Sequence, residues 1–270
     1  MNDIRTALKL LAKETSYGVL AEILSTAGST PRGPGAQMLL LPDGTFYGTV
    51  GGGTLEYKAQ QKSLEVLRRG IPDREMYSLR GDPNAFSIGV CGGTAVVDFR
   101  ILSPAEAAGL LQTMPAPPHI LLYGAGHVGK ALADAAHLVG LDVTVTDDRD
   151  ILLTRERFPH ARRIVHSLPD APMDPTSQDF IVIMTHGHEH DFTLVRRAMA
   201  TKADYVGLMA SRKKAVIARD LLARDGHSET EISQRFHCPI GLPIHAETPE
   251  EIAVSILSEI ISILRTPVET

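Results

Sequence analysis

The chain has no tryptophan, and only two of its 270 residues are cysteine, Cys91 and Cys238. Two cysteines without CxxC spacing cannot frame a disulfide scaffold, and their scarcity points to a reducing compartment, so a cytoplasmic location is expected. Long apolar runs are missing too. No stretch approaches the roughly 18 apolar residues of a membrane helix, which argues against a membrane protein. The opening MNDIRTALKLLAKET carries charges through an amphipathic pattern and has no apolar signal core, so no targeting segment is expected. Nor is there a surplus of positive charge. Lys and Arg number 27 against 32 Asp and Glu, which excludes the basic face or tail that nucleic acid requires. What is present, 43% hydrophobic and 22% charged residues, is the composition of a folded protein long enough for two domains.

The first half reads as strands joined by hairpins, with helices interposed. Ile4, Ala7, Leu8 and Leu11 share one helical face, and YGVLAEIL follows as a strand. AQMLLLP and TFYGTVGG flank Asp43-Gly44, a strong hairpin signal, and GGGTLEYKAQQKSLEVLRR opens a helix at Thr54. EMYSLR and TAVVDFRIL supply two more strands, so a mixed or antiparallel sheet is expected over residues 1–103. SPAEAAGLLQTMPAPPH, a short helix running into prolines, reads as a linker over 104–118. Residues 119–270 change rhythm. HILLYGAG, DVTVTDD, RRIVHS, DFIVIMTHG and YVGLMA alternate with helices, one of them expected near ILLTRERFP, which predicts a Rossmann-like, doubly wound parallel sheet. Thr248, Pro249 and Glu251 mark the start of a last helix with a capping box.

Three groups of residues in this second half carry candidate chemistry. Gly124, Gly126 and Gly129 form GxGxxG directly after an apolar strand: one glycine for the turn, one for approach of a pyrophosphate and one for helix packing. His127 sits inside that turn. Asp147 ends the next strand, where it or Asp148 can accept from ribose hydroxyls, favouring NAD over NADP, a preference that Arg149 weakens. The cluster THGHEHD places His186 and His188 past another strand end, as weak metal candidates in a metal-hydrolase reading or as a polar loop lining the cleft. Ser211 caps a helix whose first turn holds Arg212, Lys213 and Lys214, an anion site or a solvated basic face.

In the first half, GSTPRGPGAQML bears Arg32 and Gln37. GTVGGGTLE sets Gly51, Gly52 and Gly53 before Glu56, and GVCGG holds Cys91 between small residues. Backbone N–H groups without Cβ atoms suit an anionic or pterin-like ligand, and a thiol there can serve as a soft ligand. These stretches also read as structural turns. Cys238, among apolar neighbours, reads as a buried small hydrophobe.

The ordered blocks GSTPRxPGAxML, DGxxxGTVGGGxLE, CGG, GAGHVGxAL, TDDR, RFP, MTHxHxxD, VGLMxSRxK and PIGLxIxAETPEEIAVSILSEI resemble the xanthine dehydrogenase accessory protein family, XdhC/CoxI, over about residues 18 to 264. The resemblance implies an N-terminal mixed α+β XdhC/CoxI domain and a C-terminal Rossmann-like domain. It implies a chaperone that binds molybdenum cofactor, a molybdopterin, and delivers it to the apo-subunit of a molybdenum hydroxylase such as xanthine dehydrogenase. A cysteine desulfurase is the second implied partner, and a homodimer is left open. On this reading Cys91 contacts the metal or its exchangeable sulfur, while Arg32, Gln37, Glu56 and the Gly51–Gly53 amides hold pterin and phosphate. The ligand is expected between the two domains. Many relatives carry a second cysteine beside the one in the CGG block, where this chain has Val90, which puts two-thiol chemistry in doubt. An NAD(P)-dependent oxidoreductase is the alternative, and a metal-dependent hydrolase the third reading.

Overall fold

The computed structural model describes residues 3–79, 92–114, 117–166, 168, 173–176 and 179–266, so Cys91 lies outside the described residues. The chain divides into two compact units, Met1–Pro115 and Ala116–Thr270.

The first unit contains α1 (Ile4–Leu11), β1 (Gly18–Ala27), β2 (Gln37–Leu40), β3 (Phe46–Gly48), α2 (Gly53–Arg69), β4 (Asp73–Ser78), β5 (Thr94–Leu102) and α3 (Pro104–Thr113). Its strands form one sheet in the order β3-β2-β1-β5-β4, and every pairing is antiparallel. The expected hairpin is present: Leu41 N–H donates to the Thr45 carbonyl, and the Asp43 carboxylate receives Thr45 N–H at 2.8 Å. β1 buries both its faces. Val19, Ala21 and Ile23 meet Leu55, Ala59 and Val66 of α2, while Leu20 on the other face meets Ala7, Leu8 and Leu11 of α1. Ala107 and Leu110 of α3 join that second cluster. Residues 104–113 are thus a packed helix of the first unit, started by a Ser103–Glu106 capping box. Burial of Ala107 fixes it there, a contact that spacing alone does not reveal.

The second unit contains β6 (His119–Tyr123), α4 (His127–Leu138), β7 (Asp142–Asp147), β8 (Arg163–His166), β9 (Phe180–Ile183), α5 (His188–Met199), β10 (Tyr205–Leu208), α6 (Arg212–Arg224), α7 (Glu229–Arg235), β11 (Phe236–His237) and α8 (Pro249–Arg265). All pairings are parallel, in the order β11-β10-β9-β6-β7-β8. Ile120, Leu122, Val143 and Val145 point to α4 and α8, and Ile181, Ile183, Val206 and Leu208 to α5, α6 and α7. Apolar residues on successive positions of β9 reflect burial on both faces, as a parallel sheet requires. Thr248 and Glu251 form the expected capping box at α8. The helix expected near ILLTRERFP is absent; a single 3₁₀ turn spans Asp150–Leu152. Leu153 and Phe158 are buried instead as anchors of an irregular crossover, because the charged run between them offers no apolar helical face. No helix among the described residues is long and apolar enough to cross a membrane.

Candidate functional site

In the second unit the strand order reverses between β6 and β9, and ligands of such sheets bind at the carboxyl ends of the strands flanking that point. The glycine turn lies there. Gly124 has φ +128°, and a Cβ on it would stand 2.3 Å from the Met184 carbonyl oxygen. A Cβ on Gly129 would stand 2.1 Å from the Gly124 carbonyl oxygen, so this glycine lets α4 pack onto the turn. Gly126 differs: a Cβ there meets nothing within 4 Å. Gly126 is also the N-cap of α4 and makes no side-chain capping bond, so the first-turn N–H groups are left to an anion or water. His127, the first residue of α4, is exposed.

Asp147 is fully buried at the end of β7. Its carboxylate receives Ala125 N–H at 2.7 Å, Arg149 N–H at 3.0 Å, and the Arg149 guanidinium through Nε and Nη2, each at 2.8 Å. Burial pushes its pKa up, but the Arg149 fork and the two backbone donors outweigh this and hold it well below the ordinary carboxylate range. Both oxygens are therefore engaged from within the chain. Asp148 is the exposed neighbour, 3.7 Å from Nδ1 of His186 at the end of β9. Since β7 and β9 flank β6, this pair closes across the carboxyl end of the central strand. Asp147, Asp148 and His186 each place one ligand atom within 4.8 Å of the others, the group among the described residues that could hold a metal ion.

His188 is the first residue of α5, two positions past His186. The second acid of the same cluster, Asp191, is buried; it receives the Thr185 hydroxyl at 2.7 Å and Thr185 N–H at 3.1 Å, and pairs with Lys214. Beside it a cavity of about 640 Å³ is lined by Thr185, Phe192, Ser211, Lys213 and Lys214. Ser211 caps α6 by accepting Lys214 N–H, and Arg212 is exposed on the first turn. A further cavity of about 430 Å³ lies on a polar patch of the sheet face, where Thr144 and Thr146 alternate with buried valines and His119 Nε2 is 2.9 Å from the Thr144 hydroxyl. Burial holds the His119 pKa down. The VTVT alternation was the sequence signal for that face.

In the first unit, three glycine-rich stretches distant in sequence meet at one place. A Cβ on Gly51 would lie 3.0 Å from Pro31 Cβ and 3.4 Å from Arg32 N, and one on Gly28 would lie 3.1 Å from Gly93 Cα. A Cβ on Gly93 would lie 2.5 Å from the Ser29 carbonyl oxygen. The loop after β1 thus touches both the turn before α2 and Gly93. Glu56 braces the turn by accepting the Thr49 hydroxyl and, at 2.9 Å, Gly52 N–H, while Gly51 N–H donates to the Thr49 hydroxyl at 3.0 Å. Thr49 is a residue that the sequence reading passed over. Gln37 is adjacent in the hairpin; its carbonyl accepts Thr49 N–H, and its side-chain amide donates to Glu22 at 3.1 Å. Arg32 is exposed, and Gly52 and Gly53 have open space where a Cβ would stand.

Cys238 is buried, and burial pushes its thiol up to about 11, which makes it unreactive at neutral pH.

A family profile described as XdhC Rossmann domain matches residues 120–260, and one described as XdhC and CoxI family matches residues 11–78. The chain is 33% identical over 270 residues to the uncharacterized protein YqeB of Escherichia coli strain K12, covering 97% of this chain and 46% of that one. It is 33% identical over 154 residues to a probable xanthine dehydrogenase subunit of Bacillus subtilis strain 168, covering 56% of this chain and 44% of the relative. This chain therefore spans less than half the length of both. A third relative, the molybdenum cofactor insertion chaperone PaoD of Escherichia coli strain K12, is 22% identical, with 97% of this chain and 89% of that one covered. A crystal structure described as a xanthine dehydrogenase from Bacillus halodurans matches 99% of this chain and 97% of its own with a TM-score of 0.83 at 22% identity, which speaks to the fold.

Proposed function

The chain belongs to the XdhC and CoxI family, and from that premise we propose that it is an accessory protein that binds molybdenum cofactor and hands it to the apo-subunit of a molybdenum hydroxylase. The observation that carries this reading is the meeting of the three glycine-rich stretches in the first unit. A pterin bearing phosphate and a sulfur-rich metal centre needs accessible backbone donors, a cation and a soft ligand. Gly51 and Gly52 spend their N–H groups on Thr49 and Glu56, so the donor expected from these amides falls to Gly53, with open space at Gly52 and Gly53 for the ligand, while exposed Arg32 supplies a fork for phosphate and Gln37 and Glu56 shape the turn. Cys91, which precedes Gly92, supplies the thiolate. A cysteine desulfurase that sulfurates the cargo is the second partner in this reading.

Molybdenum and pterin that co-purify with the wild type and with Cys91→Ala test it, with melting temperature taken on the same preparations. The wild type is expected to carry both, and the variant to melt normally, hold much less of either and activate a client hydroxylase poorly. Unchanged stoichiometry in the variant removes the ligand role of Cys91. Absence of both from wild type made in cells that synthesise the cofactor removes the delivery reading.

The second unit favours a nucleotide, because Gly126 leaves open space at an uncapped helix start. A pterin dinucleotide or NAD(P) would lie at Gly124, Gly126, His127 and Gly129, with the Asp147–Asp148 strand end toward the ribose. His186, Ser211, Arg212, Lys213 and Lys214 line the same edge of the sheet. An NAD(P)-dependent oxidoreductase is the alternative that this crevice keeps in view. Calorimetry with NAD and NADP on nucleotide-free protein decides: no heat from either removes the NAD(P) reading.

A further inference from the structure

Arg157 belongs to the RFP block, to which no role has so far been assigned. Its place is fixed from both sides: its own N–H donates to the Thr154 hydroxyl at 3.1 Å, and the next residue, Phe158, is buried in the core with its N–H on the Thr154 carbonyl at 3.0 Å. From there the guanidinium reaches back to the glycine turn. Nη2 lies 3.4 Å from the Ala125 carbonyl oxygen and 3.5 Å from that of Gly126, both long for hydrogen bonds to a charged donor. Nε is buried and has no hydrogen-bond partner among the described residues. Beside a cation–π contact with the Phe158 ring at 5.7 Å, the guanidinium thus has two long contacts and one unmet donor, which a bound anion would satisfy better.

The surroundings name that acceptor. The α4 start beside it is uncapped, and Gly126 leaves room for a ligand. Arg149 is already committed to Asp147, and that pairing withdraws Asp147 from any ribose diol. We propose that Arg157 is the phosphate contact of the glycine turn, so that the crevice selects nucleotides bearing a diphosphate by charge and not by their ribose hydroxyls. A phosphate oxygen over Gly126 draws the guanidinium from the two carbonyls into charge-assisted hydrogen bonds, with the N–H groups of the first α4 turn completing the cradle. The proposal rests on the nucleotide reading of this crevice.

Calorimetry on the full chain with adenosine, ADP, NAD and NADP tests it, comparing wild type with Arg157→Met and Arg157→Lys. Arg157→Met should weaken ADP and NAD by roughly tenfold or more while leaving adenosine within about twofold, and Arg157→Lys should fall between, keeping the charge but losing the fork. If Arg157→Met unfolds, Arg157→Lys carries the comparison. Unchanged ADP affinity in a folded variant overturns the role of Arg157 and leaves the crevice reading standing. NADP binding more than about tenfold weaker than NAD overturns recognition by charge alone, since it would mean that the exposed Asp148 carboxylate reads the ribose and repels a 2′-phosphate. A wild type that binds none of the four probes removes the nucleotide reading itself, and the proposal with it.

Discussion

Replacing each glycine of the turn by alanine in separate proteins should give three different outcomes from one chemical change. Gly126 has φ −67°, which any residue adopts, and an added Cβ meets nothing within 4 Å. Alanine is a poorer N-cap than glycine by about 0.5–1 kcal/mol, while a stiffer unfolded chain returns about 0.4–1 kcal/mol. The net change should lie within about 0.5 kcal/mol. At Gly129 the added carbon stands 2.1 Å from the Gly124 carbonyl oxygen, a backbone atom that cannot swing aside. Helix and turn must separate by about 1 Å, an overpacking that costs about 1–3 kcal/mol. At 2–4 °C per kcal/mol for a unit of this size, the melting temperature should fall by roughly 2–12 °C. Gly124→Ala adds a positive φ of 128° to a 2.3 Å contact and should be at least as damaging. Urea midpoints with unchanged slopes measure the differences. If Gly126→Ala proves as destabilising as Gly129→Ala, the open space is not there. If it is silent in stability, it should still weaken a nucleotide, because its Cβ fills the ligand side of the turn.

Two further outcomes follow from carboxylates, one buried and one partly buried, that hold several donors. Asp147 is held below its ordinary value near 3.8, so its stabilisation is complete above that value and is lost as pH falls through it toward the folded pKa. Asp147→Asn should flatten acid unfolding of the second unit below about pH 4, and an unchanged acid profile would contradict the pairing with Arg149. Glu259 ties α8 to the sheet by accepting the Tyr205 hydroxyl at 2.6 Å and Gly241 N–H at 2.9 Å, with His237 Nδ1 at 3.3 Å. Glu259→Ala strands these donors and should cost about 2–4 kcal/mol in urea unfolding, whereas a loss under about 1 kcal/mol would mark the network as solvated.

The sequence alone determined what repeats along the chain or depends on near neighbours. Strand, glycine turn and helix at 119–138, the Asp43-Gly44 hairpin, the Ser211 cap and the α8 capping box are all local, so propensity and spacing sufficed to find them. The family blocks were legible for the same reason. Tertiary structure decided whatever depends on what stands opposite. Asp147 reads as a free acid at a strand end, but folding brings Ala125 N–H and the Arg149 fork onto it. THGHEHD reads as a run of polar side chains past a strand end, but folding spends its Asp191 on Thr185 and Lys214. Arg157 reads as one charge in the run TRER, and only the crossover's return to the sheet sets it against the glycine turn. The glycine stretches at 28–35, 51–53 and 92–93 read as separate turns, and antiparallel pairing of β1 with β5 and of β2 with both β1 and β3 brings their ends together. A hydrogen bond forms wherever folding places its partner, and that partner has no fixed distance along the chain.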